Sequence, residues 1–242
     1  QVTGLTGDGA ITISIAAGVA ADLAGNTSAA AGPSGSVTVD NTGPGVVIGT
    51  PSGGPINSGG TAQFPVTVTG AASINLVPGN VTINHNGTAG GSVTIQNGTT
   101  ASPRIRVTGV TGNGSITVSI AANVATDAAG NASSGTGPSA AVTVDNAAPS
   151  VTSISAPSVS QTNIGPVTYT VTFNEAVTGF DSAGDIDVQV TGTAAPGLVA
   201  ITGSGPYTVT LSNIAGNGTL KIAVKAGAAS DTAGNANVVS SA

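Results

Sequence analysis

Apolar and polar residues alternate one by one along much of this chain. The clearest run is Val167 to Phe173, in which Val167, Tyr169, Val171 and Phe173 alternate with three threonines. A period of two belongs to a strand with one face buried and the other in water. The same alternation predicts strands over Ser150–Ser155, Asp185–Val190, Leu198–Thr202, Tyr207–Leu211 and Thr219–Val224. Clusters of Gly, Asn and Pro separate these runs, as turns require. Gly-Asn-Gly, at Gly112–Gly114 and again at Gly216–Gly218, falls between the predicted fifth and sixth strands. Its chemistry is that of a tight turn with positive φ.

The pattern also recurs at the scale of a domain. Residues 1–41 align without a gap onto residues 106–146 with 27 identities, so the two stretches are copies of one unit. Asp-x-Ala-Gly-Asn occurs three times, at Asp22–Asn26, Asp127–Asn131 and Asp231–Asn235, at spacings of 105 and 104 residues. A period that long is a whole domain rather than a solenoid rung. Val-Asp-Asn followed by a proline three residues later marks the frame, as Val39–Asn41 with Pro44 and Val144–Asn146 with Pro149. Proline has a fixed φ and no donor, so it starts a strand cleanly and stiffens a short linker. Residues 1–41 are then the C-terminal part of a first repeat, and residues 42–146 a complete second one. Residues 147–242 form a third that stops before its last strand, whose counterparts are Val37–Val39 and Ala141–Val144. Seven short strands in about a hundred residues predict an all-β chain of tandem immunoglobulin-like β-sandwich repeats. A closed barrel is the structural rival, and the uneven strand lengths fit it less well.

Composition narrows the function classes. Val and Thr favour strands, and with few aromatics the cores must be built from small side chains. Four Lys and Arg against ten acids give a net charge of −6, which leaves no basic footprint for nucleic acid or an anionic membrane. The absence of Cys excludes disulfides, thiol chemistry and cysteine metal sites. No apolar run approaches the length of a membrane span.

Three blocks resemble a known family: Val144–Pro149 (V-D-N-A-A-P), Val171–Asp181 (V-T-F-N-E-A-V-T-G-F-D) and Ala228–Asn235 (A-A-S-D-T-A-G-N). They are similar to the bacterial Ig-like repeats of very large surface adhesins and related secreted proteins. The third repeat carries the likeness over nearly its whole length. The second carries it at both ends, but has Thr69-Gly70 where the pattern has Asn-Glu. The resemblance implies an extracellular, cell-surface spacer, often stiffened by calcium, that holds a binding tip away from the cell.

Acids are scarce, nine Asp and one Glu, so their placement carries information. On an immunoglobulin-like path, the loops after the second, fourth and sixth strands gather at the pole where the chain enters the domain. Glu175, Asp181 and Asp185 lie in or beside the first of these loops, Asp231 in the last, and Asp145 in the linker. Five carboxylates from distant segments then converge on one junction, where like charges repel unless a cation sits among them. Calcium is the expected ion, because it takes six to eight oxygen ligands without strict geometry. The first junction has Asp40 and Asp127, but its loop from Gly70 to Pro78 carries no acid. A metal-free reading of Asp-x-Ala-Gly-Asn stands beside this one: Asp caps the turn through the backbone, and Gly supplies positive φ before Asn.

Nothing in the sequence points to an enzyme. The lone His85 has no nucleophile or orienting group near it in sequence, and reads as an exposed strand-end residue. Lys221 and Lys225 read as solvent-facing neighbours on the sixth strand. Two further roles remain open beside the spacer. One is a subunit of an extracellular filament or surface layer, in which identical chains complete each other's end repeats. The other is a glycan-binding module, for which the divergent stretch from Asn80 to Thr100 is the place to look.

Overall fold

A computed structural model describes residues 1–240. The first unit contributes β1 (Gly9–Ile11) and β2 (Val37–Val39), an antiparallel pair with Gly9 opposite Val39. The second unit contains β3 (Gly45–Ile48), β4 (Ala62–Thr69), β5 (Ser73–Ile74), β6 (Val81–Gly87), β7 (Gly90–Gln96) and β8 (Arg104–Thr111). It continues with β9 (Gly114–Ile120), β10 (Ala125–Thr126) and β11 (Val142–Val144). The third unit contains β12 (Val151–Ile154), β13 (Val167–Phe173), β14 (Ile186–Val190), β15 (Leu198–Thr202), β16 (Tyr207–Ser212) and β17 (Leu220–Val224).

The second unit has one sheet in the order β3-β4-β8-β7 and another in the order β11-β9-β6. This is the four-against-three antiparallel arrangement of an immunoglobulin-like sandwich. The third unit repeats it as β12-β13-β16-β15 and β14-β17. Among the described residues, no strand there takes the place that β11 has in the second unit.

The two-residue alternation decides which side chains face inward. Ala62, Phe64, Val66 and Val68 on β4 are buried and alternate with the outward-facing Gln63, Pro65, Thr67 and Thr69, and Val167, Tyr169, Val171 and Phe173 on β13 are buried between threonines. They meet Ile105 and Val107 in one core, and Val209 and Leu211 in the other. Each fully buried Val, Leu, Ile or Phe contributes roughly 1.5–3 kcal/mol. Gly-Asn-Gly closes the β8–β9 turn, with φ of 68° at Gly112 and 134° at Gly114. Its counterpart Gly216 also admits no side chain, since a Cβ there would lie 1.9 Å from the carbonyl oxygen of Thr193.

Two local expectations change. The third strand of the last unit starts at Ile186 rather than Asp185, because Ala183–Asp185 forms a single 3-10 turn. Ser182 Oγ accepts from the Gly184 N–H there, and Asp185 Oδ2 accepts from the Ser182 N–H. Lys225 lies just beyond β17 and is not a strand-face partner of Lys221. Its backbone N–H donates to the Asp185 carbonyl and its Nζ to the Gly184 carbonyl, both at 2.9 Å.

Candidate functional site at the junctions between repeats

Each Asp-x-Ala-Gly-Asn segment folds on itself in the same way. Asp231 Oδ1 accepts the N–H groups of Ala233 and Asn235 at 2.8 and 2.9 Å, and its Oδ2 accepts Asn235 Nδ2 at 2.8 Å. Asp127 holds Ala129 and Asn131 in the same geometry, and Asp22 holds Ala24 and Asn26. The glycine of the motif has φ between 87° and 94° in all three copies, which closes the turn. Asp231 is 4% exposed. Burial pushes its carboxyl up, but the Asn235 amide and the backbone donors outweigh this and leave it below the ordinary value of 3.8. Asp127 and Asp22 are lowered mainly by the side-chain amides of Asn131 and Asn26.

The turn also reaches outside its own repeat. Asn235 Nδ2 donates to the backbone carbonyl of Asp145 at 2.8 Å, and Asn131 Nδ2 to that of Asp40 at 2.9 Å. Asp145 and Asp40 are the linker residues of Val-Asp-Asn. The same amide therefore bridges from the closing turn of one repeat to the linker that enters it, at both junctions. The first junction is tight as well, since a Cβ on Gly43 would lie 2.2 Å from the Ala132 carbonyl oxygen. The place of this Asn after a positive-φ glycine does not by itself reveal the bridge. Its presence in all three copies is the signal that marked it.

The second junction adds acids. Thr178 and Ser230 exchange backbone hydrogen bonds at 2.8 and 3.0 Å, which ties the loop after β13 to the loop after β17. Asn174 Oδ1 accepts from the Ser150 N–H at 2.6 Å, and Asn174 Nδ2 donates to Glu175 Oε1 at 3.2 Å. Phe173, Phe180 and Tyr207 stack edge to face with centroids 5.1–6.0 Å apart, and the Tyr207 hydroxyl donates to the Val177 carbonyl at 3.0 Å. These contacts hold the Glu175 loop against the linker. Carboxylate oxygens of Asp145, Glu175 and Asp231 come within 4.8 Å of one another.

The other acids of the predicted cage stand differently. Asp181 and Asp185 lie outside this group of three, and Asp185 Oδ2 accepts the N–H groups of Asp181 and Ser182. Among the described residues, no comparable group forms around Asp40 and Asp127. Asp40 Oδ1 accepts the Thr42 N–H, and the Asp127 carboxylate serves its own turn. The donor set at the second junction is oxygen only, which suits a hard cation of the calcium type. His85 is exposed in mid-strand on β6, opposite Ile116. All five aromatic side chains are buried, so the exposed aromatic cluster that a glycan site would use is absent among the described residues.

Comparison with known proteins agrees with this architecture. Residues 145–242 match the family model described as a bacterial Ig-like domain. Bacterial Ig-like domains are commonly structural modules of extracellular or surface proteins. No curated protein and no solved structure matches the chain. Among the described residues, no helix is long and apolar enough to cross a membrane.

Proposed function

We infer that this chain, whose third repeat is a bacterial Ig-like domain, is a spacer segment of a large bacterial cell-surface adhesin. Its work is mechanical rather than catalytic. Successive sandwiches hold a fixed angle, so that whatever the parent protein binds is carried at a distance from the cell. The observation that carries this reading is the repeated bridge from Asn131 to the Asp40 carbonyl and from Asn235 to the Asp145 carbonyl. A flexible tether has no need of the same hydrogen bond at each junction.

Calcium at the second junction is part of the proposal. Asp145, Glu175 and Asp231 supply three carboxylates from the linker and from two loops of the following repeat. A divalent cation there would cancel their repulsion and couple linker to domain. Dissociation constants of roughly 0.1–1 mM are usual for extracellular calcium modules. The test is small-angle scattering of the full chain against the double variant Asn131→Ala, Asn235→Ala. The expected result is a broader distribution of maximum dimensions in the variant, with both cores still folded. An unchanged distribution would remove the spacer reading.

A further inference from the structure

Charge is divided unevenly along this chain. No Asp or Glu lies between Asp40 and Asp127, and that stretch holds both arginines of the chain, Arg104 and Arg106. The two other cations, Lys221 and Lys225, lie in the third repeat among five acids. A net charge of −6 therefore hides a domain body that is locally positive. Charges more than about 8 Å away are largely screened at physiological ionic strength, so an approaching ligand meets the local sign rather than the total.

The arginines share one face. Arg104 and Arg106 stand two residues apart on β8, on the outer side of the sheet β3-β4-β8-β7, while Ile105 and Val107 point into the core. Such neighbours leave a strand about 6.8 Å apart. Across the sheet, Arg104 lies between Pro65 and Gln96, and Arg106 between Gln63 and Thr94. Arg104 Nη1 donates to Gln63 Oε1 at 3.1 Å. Gln63 is opposite Arg106, so this bond draws one guanidinium toward the row of the other. Arg106 is half-buried, and its Nε is buried without a hydrogen-bond partner. Among the described residues, neither arginine bonds a carboxylate. Two like charges drawn together, one with an unpaired donor withdrawn from water, form an arrangement that an anion relieves. The fold itself has no need of them. Aligning the Gly-Asn-Gly turns puts Thr208 and Thr210 at these positions in the third repeat, on β16.

We propose that this face of the second repeat binds an acidic polysaccharide, a chain of uronic acid units, with the two guanidiniums on its carboxylates. The planar fork of Arg matches a carboxylate through two parallel hydrogen bonds. Gln63, Gln96 and Thr94 surround the arginines with amides and a hydroxyl, which both donate and accept, as sugar hydroxyls require. A protein partner is commonly anchored by aromatic side chains, and all five in this chain are buried. Nucleic acid would meet only two cations and no stacking platform. All residues of the face belong to the second repeat, on a sheet face and not at the pole where the junctions form. The spacer would then carry a lateral contact of its own.

The test is affinity electrophoresis of the 242-residue chain through gels containing polygalacturonate. A chelator is present, so that no cation links the polymer to the acids of the second junction. Retardation is expected, and added salt should weaken it. Arg104→Thr with Arg106→Thr copies the third repeat and should leave urea unfolding of both repeats unchanged. The dissociation constant should rise by about tenfold or more in this variant, since a hydrogen bond to a charged group is worth that much. Lys221→Gln with Lys225→Gln changes the net charge equally and should leave binding unchanged. Absence of retardation would overturn the proposal, as would binding that survives the Arg substitutions or falls as far with the Lys pair. Stronger retardation by dextran sulfate or single-stranded DNA would overturn the choice of a uronate. Self-association that the Arg substitutions abolish would overturn it in favour of a second copy of the chain. None of these outcomes bears on the spacer reading, which is read from junction rigidity in the Asn variants.

Discussion

At the scale of single residues, the aspartates of the three turns are the most informative groups. Each carboxylate accepts two backbone N–H groups and one Asn amide, and each is held below the ordinary value of 3.8. A carboxyl lowered on folding contributes stability that is complete above its unfolded value, and that is lost as pH falls through the folded value. Unfolding midpoints in urea should therefore be nearly flat from neutral pH down to about pH 5, and should drop below about pH 4. Asp231→Asn should flatten this acid limb for the third repeat. An acid limb of the same steepness in that variant would show that the turn is not its source.

The loop that carries Glu175 is decided at the scale of elements. Four of the five aromatic residues lie in the third repeat, and three of them form one edge-to-face cluster beneath this loop. Phe180, at the centre, is 2% exposed. Phe180→Ala should cost about 3–5 kcal/mol, the usual range for deleting a buried aromatic ring. Urea unfolding of the third repeat measures that loss, and the same variant should bind calcium more weakly because the loop loses its anchor. The second repeat has Val68 and Thr69-Gly70 at the corresponding place. Its loop is tied by the pairing of β5 with β10, the counterpart of the Thr178–Ser230 pair in the third repeat. The two loops thus share a backbone tie, and the third repeat alone adds the aromatic cluster and an acid.

The whole molecule differs at its two junctions. Both have the Asn bridge, and only the second has three clustered carboxylates. Calcium at ten times its dissociation constant should add about 1.4 kcal/mol to the third repeat. For a domain of this size that corresponds to a rise in melting temperature of about 6–11 °C. A chelator should reverse the rise, and Glu175→Gln should remove most of it while leaving the second repeat unmoved. Calorimetry of the full chain separates the two transitions. Equal shifts in both repeats, or none in either, would refute a cation at the second junction.

The strands of the third repeat, the repeat period and the inward-facing residues were legible in the sequence because each rests on local periodicity. Alternation of Val with Thr chooses a face whatever the partner strand. The Asp-x-Ala-Gly-Asn turn was legible for the same reason, since all its internal bonds lie within five residues. What lay beyond the sequence was decided by distance along the chain. Asn235 meets the carbonyl of Asp145 across 90 residues, and Asn131 meets that of Asp40 across 91. Of the five acids predicted to converge, Asp145, Glu175 and Asp231 are brought together and Asp181 and Asp185 are not. Loop membership alone does not say which way a carboxylate turns. That choice is made by the Thr178–Ser230 pairing, the Asn174 contacts and the 3-10 turn that draws in Asp185. Local alternation chose the strands and their buried faces, while contacts between distant segments chose the junctions, because a hydrogen bond to a remote carbonyl leaves no periodic mark on the sequence around it.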